Sequence, residues 1–100
     1  MKTMKPIKFD WDEGNLGHTA KHGLTPSEIE HVLGGDPMVA PDPFPSEARW
    51  KAIGQTEEDR FALIVFTLRE IAGTLHMRPI SARYMHRKEI EKYERQRPKE

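Results

Sequence analysis

The chain contains no cysteine, and none of its apolar runs is long enough to cross a bilayer. The missing cysteines exclude disulfide bonds and thiolate metal sites. A membrane-spanning helix needs about 20 consecutive apolar residues, so this class is excluded as well. The N-terminal MKTMKPIKFDWDE lacks the apolar centre of a secretory signal. We therefore expect a cytoplasmic protein with no membrane partner.

The chain also has no net charge, because 16 basic side chains balance 16 acidic ones. A neutral protein has no bulk electrostatic attraction for nucleic acid. The charges are unevenly placed, however: residues 1–48 hold 4 Lys and Arg against 8 Asp and Glu, and residues 49–100 hold 12 against 8. Eight of those 12 are Arg, whose planar guanidinium binds phosphate or carboxylate. This asymmetry predicts an acidic surface and a separate basic surface that can hold phosphate.

The composition is that of a folded protein. Hydrophobic residues make up 36% of the chain and charged residues 32%, a balance typical of α/β or α+β proteins and not of disordered ones. At 100 residues the chain is long enough for one modest core. Residues 1–100 are therefore predicted to form a single domain.

The N-terminal third has the signals of one strand and two helices. KPIKFDW alternates apolar and polar residues up to Trp11, as a half-buried strand does. Asp12 then offers an N-cap to a helix over residues 13–22, and Gly23 stands where helices commonly end. In LTPSEIEHVLGG, Thr25 begins a capping box for a second helix, which the Gly-Gly pair ends.

The pattern changes to β in the middle of the chain. Residues 36–45 contain four of the eight prolines, so they predict a loop or an edge segment. Three strands follow in ARWKAIG, FALIVFTL and TLHMRPISA, and their short connections imply an antiparallel meander. Pro79 indicates that the last strand lies at an edge or is bulged there. Residues 85–97 predict a solvated helix, with an i,i+4 ion pair between Arg87 and Glu91.

Together these elements predict an α+β fold, with a small antiparallel sheet of about four strands, two N-terminal helices and a C-terminal helix. The chain also contains six short motifs in a fixed order. They are FDWDEGN at 9–15, KHGLT at 21–25, EARWKAIG at 47–54, the FALIVFTL strand, RPISAR at 78–83, and the E-x-x-x-Y of Glu89 and Tyr93. No single piece is specific, but their order and spacing resemble the BrnT family, toxins of bacterial type II toxin–antitoxin systems. The resemblance implies a compact, RelE-like ribonuclease fold.

The resemblance also implies a function. Members of this family inhibit translation by cleaving RNA without a metal or other cofactor, and a BrnA-type antitoxin neutralises them. That antitoxin carries a ribbon-helix-helix domain, so DNA would be contacted only through it. Family members often carry a histidine in the loop where this chain has Phe44 and Pro45. This departure leaves an alternative open, namely a catalytically weak, BrnT-like subunit that forms a transcription-autoregulating complex with its antitoxin.

Metal-free RNA cleavage needs a base for the 2′-hydroxyl, an acid for the departing 5′-oxygen, and cations around the phosphorane. Arg83 is the first candidate, because it lies at the predicted strand-to-helix junction, where the next helix begins with unpaired N–H groups. Arg49 and Glu47 lie two apart on one strand and share a face, so they could act as phosphate clamp and base. Alternatively they form an ordinary ion pair, and Arg83 pairs with Glu89.

Four further residues complete the predicted site. Lys21 and His22 end the first helix, where they are available as a cation and as a general acid or base; alternatively they complement the helix dipole. Arg78 and Tyr93 are predicted RNA contacts, with packing as the alternative for Tyr93. In a regular strand Arg78 would point away from Arg83, and a bulge beside it would change this.

The histidines and tryptophans add no cofactor site. His18 and His22 are spaced like paired metal ligands, but no third ligand follows at a recognisable spacing, so no metal is predicted. Trp11 and Trp50 could stack on bases, although large residues of alternating strands usually belong to the core. The sequence therefore predicts a hollow, open to solvent, in which arginines of separate strands hold an RNA phosphate.

Overall fold

The computed structural model describes residues 8–43, 45 and 47–96. The helices are α1 (Glu13–Thr19, followed by a 3-10 turn over Ala20–His22), α2 (Pro26–Gly34) and α3 (Arg87–Gln96). The strands are β1 (Lys8–Phe9), β2 (Met38–Pro41), β3 (Trp50–Gln55), β4 (Phe61–Ile71) and β5 (Thr74–Tyr84). Ile7, Phe44 and Arg97, to which the sequence analysis assigned a strand, a loop and a helix, lie outside the described residues.

The strands form one sheet in the order β1-β5-β4-β3-β2. The predicted meander of β3, β4 and β5 is confirmed. The predicted number of strands is too low, because β2 forms an antiparallel edge strand within residues 36–45; an edge position tolerates proline. The sheet is also mixed, since β1 pairs with β5 in parallel. These two strands are far apart in the sequence, so alternation within each could not reveal their relative direction.

Both predicted N-terminal helices are confirmed, and their first turns are capped as expected. Asp12 accepts the backbone N–H of Gly14 at 2.8 Å, and Thr25 exchanges side-chain and backbone hydrogen bonds with Glu28. The last turn of the first helix tightens to a 3-10 turn, and Gly23 closes it at φ 94°. The solvated C-terminal helix is also confirmed.

The core lies between one face of the sheet and the N-terminal helices. We call this the core face; on β4 it carries Ala62, Ile64 and Phe66, all buried. The apolar stripe of α2, including Ile29 and Val32, packs against it. The opposite face, which we call the far face, carries Leu63, Val65 and Thr67 on β4 because side chains alternate along a strand. No helix in the described part of the chain is long and apolar enough to span a bilayer.

A two-residue turn, Ala72-Gly73, connects β4 to β5, and both residues have positive φ, at 51° and 81°. Two consecutive residues with positive φ are characteristic of a type I′ turn, whose twist matches that of a hairpin. Glycine adopts this conformation freely, but alanine does so at a cost. Ala72 is therefore a strained position in an otherwise regular hairpin.

Candidate functional site

Basic side chains gather on the far face because of the strand register. Residues that pair across strands point to the same face, as do residues two apart on one strand. From α3 outward, the rows across β3, β4 and β5 are Ile53–Leu63–Arg83, then Lys51–Val65–Ser81, then Thr67–Arg78, which Arg49 extends just before β3. Cations from both neighbours of β4 thus share one face.

Arg49 belongs to the third row although it lies one residue before β3. Its carbonyl oxygen accepts a 2.9 Å hydrogen bond from the backbone N–H of Asp42, which continues the pairing of β2 with β3. The next residue, Trp50, pairs with Phe66 and packs against the core. Alternation then directs the Arg49 side chain to the far face.

A bulge in β5 brings Arg78 and Arg83 to the same face. The pairing of β5 with β4 shifts by one residue at Ile80, next to Pro79. In a regular strand the odd separation of the two arginines would direct them to opposite faces. The extra residue reverses this relation. The bulge that the sequence analysis associated with Pro79 is therefore confirmed, and it changes which side chains can act together.

A groove of about 330 Å³ lies between α3 and the first two rows of the far face. Most of its lining surface is apolar, and the charged side chains that line it belong to β3, β5 and α3. The lining includes Ile53, Leu63, Met85, Lys51, Arg83, Glu89 and Lys92. A nucleotide has both an apolar base and a charged linkage, and this groove offers surfaces for both.

Lys51 is a candidate that the sequence analysis missed. It stands in the row between Arg49 and Arg83, and it lines the same groove as Arg83. Within the described residues Lys51 forms no ion pair. A signal was present in the sequence, because in ARWKAIG the alternation that unites Arg49 with Glu47 also unites it with Lys51.

Arg83 and Glu89 form a two-bond ion pair at the junction of β5 and α3. The two guanidinium nitrogens donate to the two carboxylate oxygens at 2.8 and 2.7 Å, and Glu89 also accepts the backbone N–H of His86 at 2.9 Å. These hydrogen bonds, first that of Arg83 and then that of His86, lower the pKa of Glu89 from 4.5 to about 2. Arg83 thus lines the groove, and it pairs with Glu89, which was the stated alternative.

Glu47 and Arg49 are also paired, with 2.9 Å between Oε2 and Nε. They line a second hollow of about 340 Å³ beside Asp42 and Trp50. From the register, Arg49 and Arg83 are roughly 13 Å apart along the strands and roughly 10 Å apart across them. The two arginines therefore share a face but not a contact, and Lys51 occupies the row between them.

Arg78 of β5 forms ion pairs with two aspartates that follow β1. Its guanidinium donates to Asp10 at 3.1 Å and to the two carboxylate oxygens of Asp12 at 3.0 and 3.1 Å, and its side chain is 13% exposed. The hydrogen bond from Arg78 is the main cause that lowers the pKa of Asp12. These contacts contradict the prediction of separate acidic and basic surfaces, because acidic residues of the first half are interleaved with basic residues of the second.

Lys21 and His22 reach the sheet from the other side. Both are exposed in the 3-10 turn, which packs against β5. The neighbouring Gly23 lies against Tyr84, a core-face residue opposite Ala62. The structure thus brings Lys21 and His22 to the Tyr84 end of β5 and not to Glu47 and Arg49. Their predicted roles in acid–base chemistry stay predictions.

The aromatic side chains lie in packed surroundings. Tyr93 is buried, and its ring contacts Phe61 edge-to-face with centroids 5.6 Å apart. Trp11 and Trp50 pack against the core, and the Trp11 indole donates to Glu30 at 2.7 Å. Among the described residues, no three His, Asp or Glu side chains are grouped as ligands for a metal ion.

The helix α3 departs from one expectation. Within its described residues, Arg87 and Glu91 do not form the predicted i,i+4 ion pair. The carboxylate that does pair, that of Glu89, turns to Arg83 on the sheet. In α3, the observed ion pair therefore joins the helix to a strand through Glu89 and Arg83, and not two exposed residues of the helix itself.

A comparison with curated proteins gave no match. Residues 11–89 match the family described as ribonuclease toxin, BrnT, of type II toxin–antitoxin system. This match covers the span from Trp11 through Glu89, and so includes every strand from β2 to β5 and the helices α1 and α2. The chain belongs to the BrnT family of type II toxin–antitoxin ribonuclease toxins.

Proposed function

We propose that this protein is a metal-independent endoribonuclease that inhibits translation, and that it cleaves RNA in the groove on the far face. One observation carries the proposal: the register aligns Arg49, Lys51 and Arg83 on one face, beside a groove between the sheet and α3. Lys51 and Arg83 line this groove from two strands, so they can stabilise charge that develops on a phosphorane, and Arg49 would reach it by turning away from Glu47.

The proposed reaction uses side chains of the protein and water. A base removes the proton of the ribose 2′-hydroxyl, the oxygen attacks the adjacent phosphorus, and the bond to the 5′-oxygen breaks as that oxygen takes a proton. The products are a 2′,3′-cyclic phosphate and a free 5′-hydroxyl. Glu47 is the proposed base, with Arg49, Lys51 and Arg83 as cations around the phosphorane. Water is proposed to donate the proton to the 5′-oxygen, because Lys21 and His22 approach β5 from the core-face side and do not line the groove.

The proposal extends to the fold type and the partners. We assign the sheet and its helices to the RelE-like type and the protein to the cytoplasm. The family implies RNA as substrate and an antitoxin as partner. We infer that this antitoxin is of the BrnA type, so that the toxin meets DNA only through the ribbon-helix-helix domain of its partner. Arg78 and Tyr93 are retained as RNA contacts in the proposal, although each also has a packing or pairing role.

The test uses purified full-length chain, total bacterial RNA and EDTA. Wild type is expected to produce fragments that end in cyclic phosphate, whereas Lys51→Ala and Arg83→Ala are expected to lose cleavage by roughly 100-fold or more, as removal of a preorganised charge does. Arg87→Ala is the matched control, because Arg87 is exposed on α3 and does not line the groove. If all four proteins cleave alike, or if none cleaves, the proposal is wrong.

A second candidate function has an observation of its own. Arg49, Arg78 and Arg83 are each paired with a carboxylate of the same chain, which reduces their availability to phosphate. A weakly catalytic subunit that binds its antitoxin and autoregulates transcription would need no available arginine. It predicts that wild type forms the repressor complex on DNA and yet leaves RNA intact, with or without EDTA.

A further inference from the structure

The basic rows of the far face continue beyond the groove, toward the turn between β4 and β5. Here Lys8 pairs with His76, and His76 pairs with Arg69. The same three strands place Phe9, Met77 and Leu68 in the neighbouring row on the core face. Lys8, His76 and Arg69 therefore point to the far face, one alternation beyond Arg78 and roughly 7 Å from it along the strand. We call these three residues the outer row.

The charges of the outer row are poorly neutralised. The Arg69 guanidinium lies 3.9 Å from Asp10, whose carboxylate is closer to Arg78, at 3.1 Å, and the Arg69 side chain is 58% exposed. Lys8 is exposed and forms no ion pair within the described residues. The neighbouring Glu70 pairs with Leu75 and so faces the other side of the sheet. The positive charge of Arg78 is neutralised by Asp10 and Asp12, whereas that of the outer row is largely available to a ligand.

His76 is held in a defined orientation within this row. Its Nδ1 lies 2.9 Å from the carbonyl oxygen of Thr74. A carbonyl oxygen can only accept, so Nδ1 carries the proton, which leaves Nε2 for a ligand. With the proton on Nδ1, Nε2 of the neutral ring is an acceptor, so the ring is suited to the 2′-hydroxyl of a ribose.

We propose that Lys8, Arg69 and His76 form a subsite for the backbone of single-stranded RNA, outside the groove where cleavage occurs. This inference rests on the proposed function, because the subsite extends the same basic face along the strands from Arg83 and Lys51. Bound RNA would follow the strand direction, with its scissile linkage beside α3 and a phosphate several nucleotides away on the outer row, which lies roughly 20 Å from Arg83 along the strands. The subsite increases affinity for long RNA and takes no part in the chemical step.

The test measures binding of fluorescent 2′-O-methyl RNA, which lacks the nucleophile and stays uncut. A long probe of roughly 12 nucleotides and a short one of roughly 4 fall within the range of single-strand site sizes. In the Lys8→Ala/Arg69→Ala variant, the slope of log K against log salt for the long probe is expected to fall by about 1.4, since each phosphate contact on a single strand contributes about 0.7. The slope for the short probe, and cleavage of short RNA, should not change. His76→Ala is expected to leave both probes unchanged, because a 2′-O-methyl ribose has no hydroxyl to donate to Nε2.

The control is Arg87→Ala/Lys88→Ala, which removes the same charge from exposed positions of α3 outside the groove lining. The inference is overturned if this control lowers the slope equally, or if the outer-row variant leaves the slope for the long probe unchanged. It is also overturned if the variant loses affinity for the antitoxin and keeps its RNA slope, since the row would then bind protein. A wild type that binds RNA with the expected slope but cleaves none would refute the proposed function and leave the subsite supported.

Discussion

Replacement of Glu89 by Gln is expected to destabilise the protein at pH 7 and to have little effect at pH 2. Gln is nearly isosteric with Glu, and its amide oxygen can still accept the backbone N–H of His86 at the start of α3. What the variant loses is the negative charge between the two nitrogens of Arg83. The substitution therefore isolates the ion pair that joins β5 to α3.

The magnitude follows from the pKa of Glu89 and its exposure. A pKa held at about 2 instead of 4.5 would correspond to roughly 3 kcal/mol at ~1.4 kcal/mol per pH unit if the pair were fully buried. The side chains of Arg83 and Glu89 are 35% and 37% exposed, however, so solvent screens the charges, and measured values for such pairs reach only about 1 kcal/mol. We expect a loss of about 1 kcal/mol, or a Tm lower by roughly 4–8 °C for a domain of this size.

The pH dependence has a definite sign. Because folding lowers the pKa of this carboxyl, the contribution of the pair is complete above 4.5 and is lost as the pH falls toward about 2. Thermal unfolding followed by circular dichroism from pH 7 to pH 2 should show wild type and Glu89→Gln converging. Glu91→Gln, at an exposed position of the same helix, should match wild type throughout. A difference between Glu89→Gln and wild type that persists undiminished at pH 2 would refute the reasoning.

Three further predictions concern stability, each measured by urea unfolding at pH 7. Asn15 is 3% exposed and bonds to Asp10, Asp12 and Pro79, so Asn15→Ala should cost roughly 2–3 kcal/mol by leaving buried groups unpaired; an effect below the error of the measurement would contradict this. Ala72→Asn should gain roughly 0.5–1 kcal/mol, because Asn tolerates the positive φ of a type I′ turn better than Ala does, and equal or lower stability would be the contrary result. Thr25→Ala should cost about 1 kcal/mol through loss of the N-cap of α2, whereas Thr25→Ser should resemble wild type.

Features set by local chemistry could be read from the sequence. Thr25 was predicted to cap α2 because a hydroxyl three residues before Glu28 satisfies N–H groups within one turn, and this interaction depends on nothing distant. The same is true of Asp12 at the start of α1 and of Gly23 at the end of the 3-10 turn. The apolar run of β4 likewise predicts a central strand, which the sheet order confirms. The family, too, could be recognised from short motifs and their order.

The site could be predicted only in part, because its geometry depends on register. Residue type and position indicate Arg49 and Arg83, but only the pairing of β3 with β4 shows that Lys51 lies in the row between them. The partners of Arg78 could not have been named from the sequence, since Asp10 and Asp12 lie 68 and 66 residues away along the chain. The acidic first half and the basic second half of the sequence therefore do not form separate acidic and basic surfaces in the folded protein.

Sequence alone thus determined the helices, where they begin, the central strands β3 to β5 and the protein family, because these properties arise from contacts within a few residues or from motif order. Tertiary structure decided which side chains act together. A single extra residue at Ile80 turns Arg78 to the face of Arg83, and a parallel pairing of β1 with β5 adds Lys8 to His76 and Arg69. Alternation along a strand has a period of two, so one shift of register exchanges the two faces of the sheet.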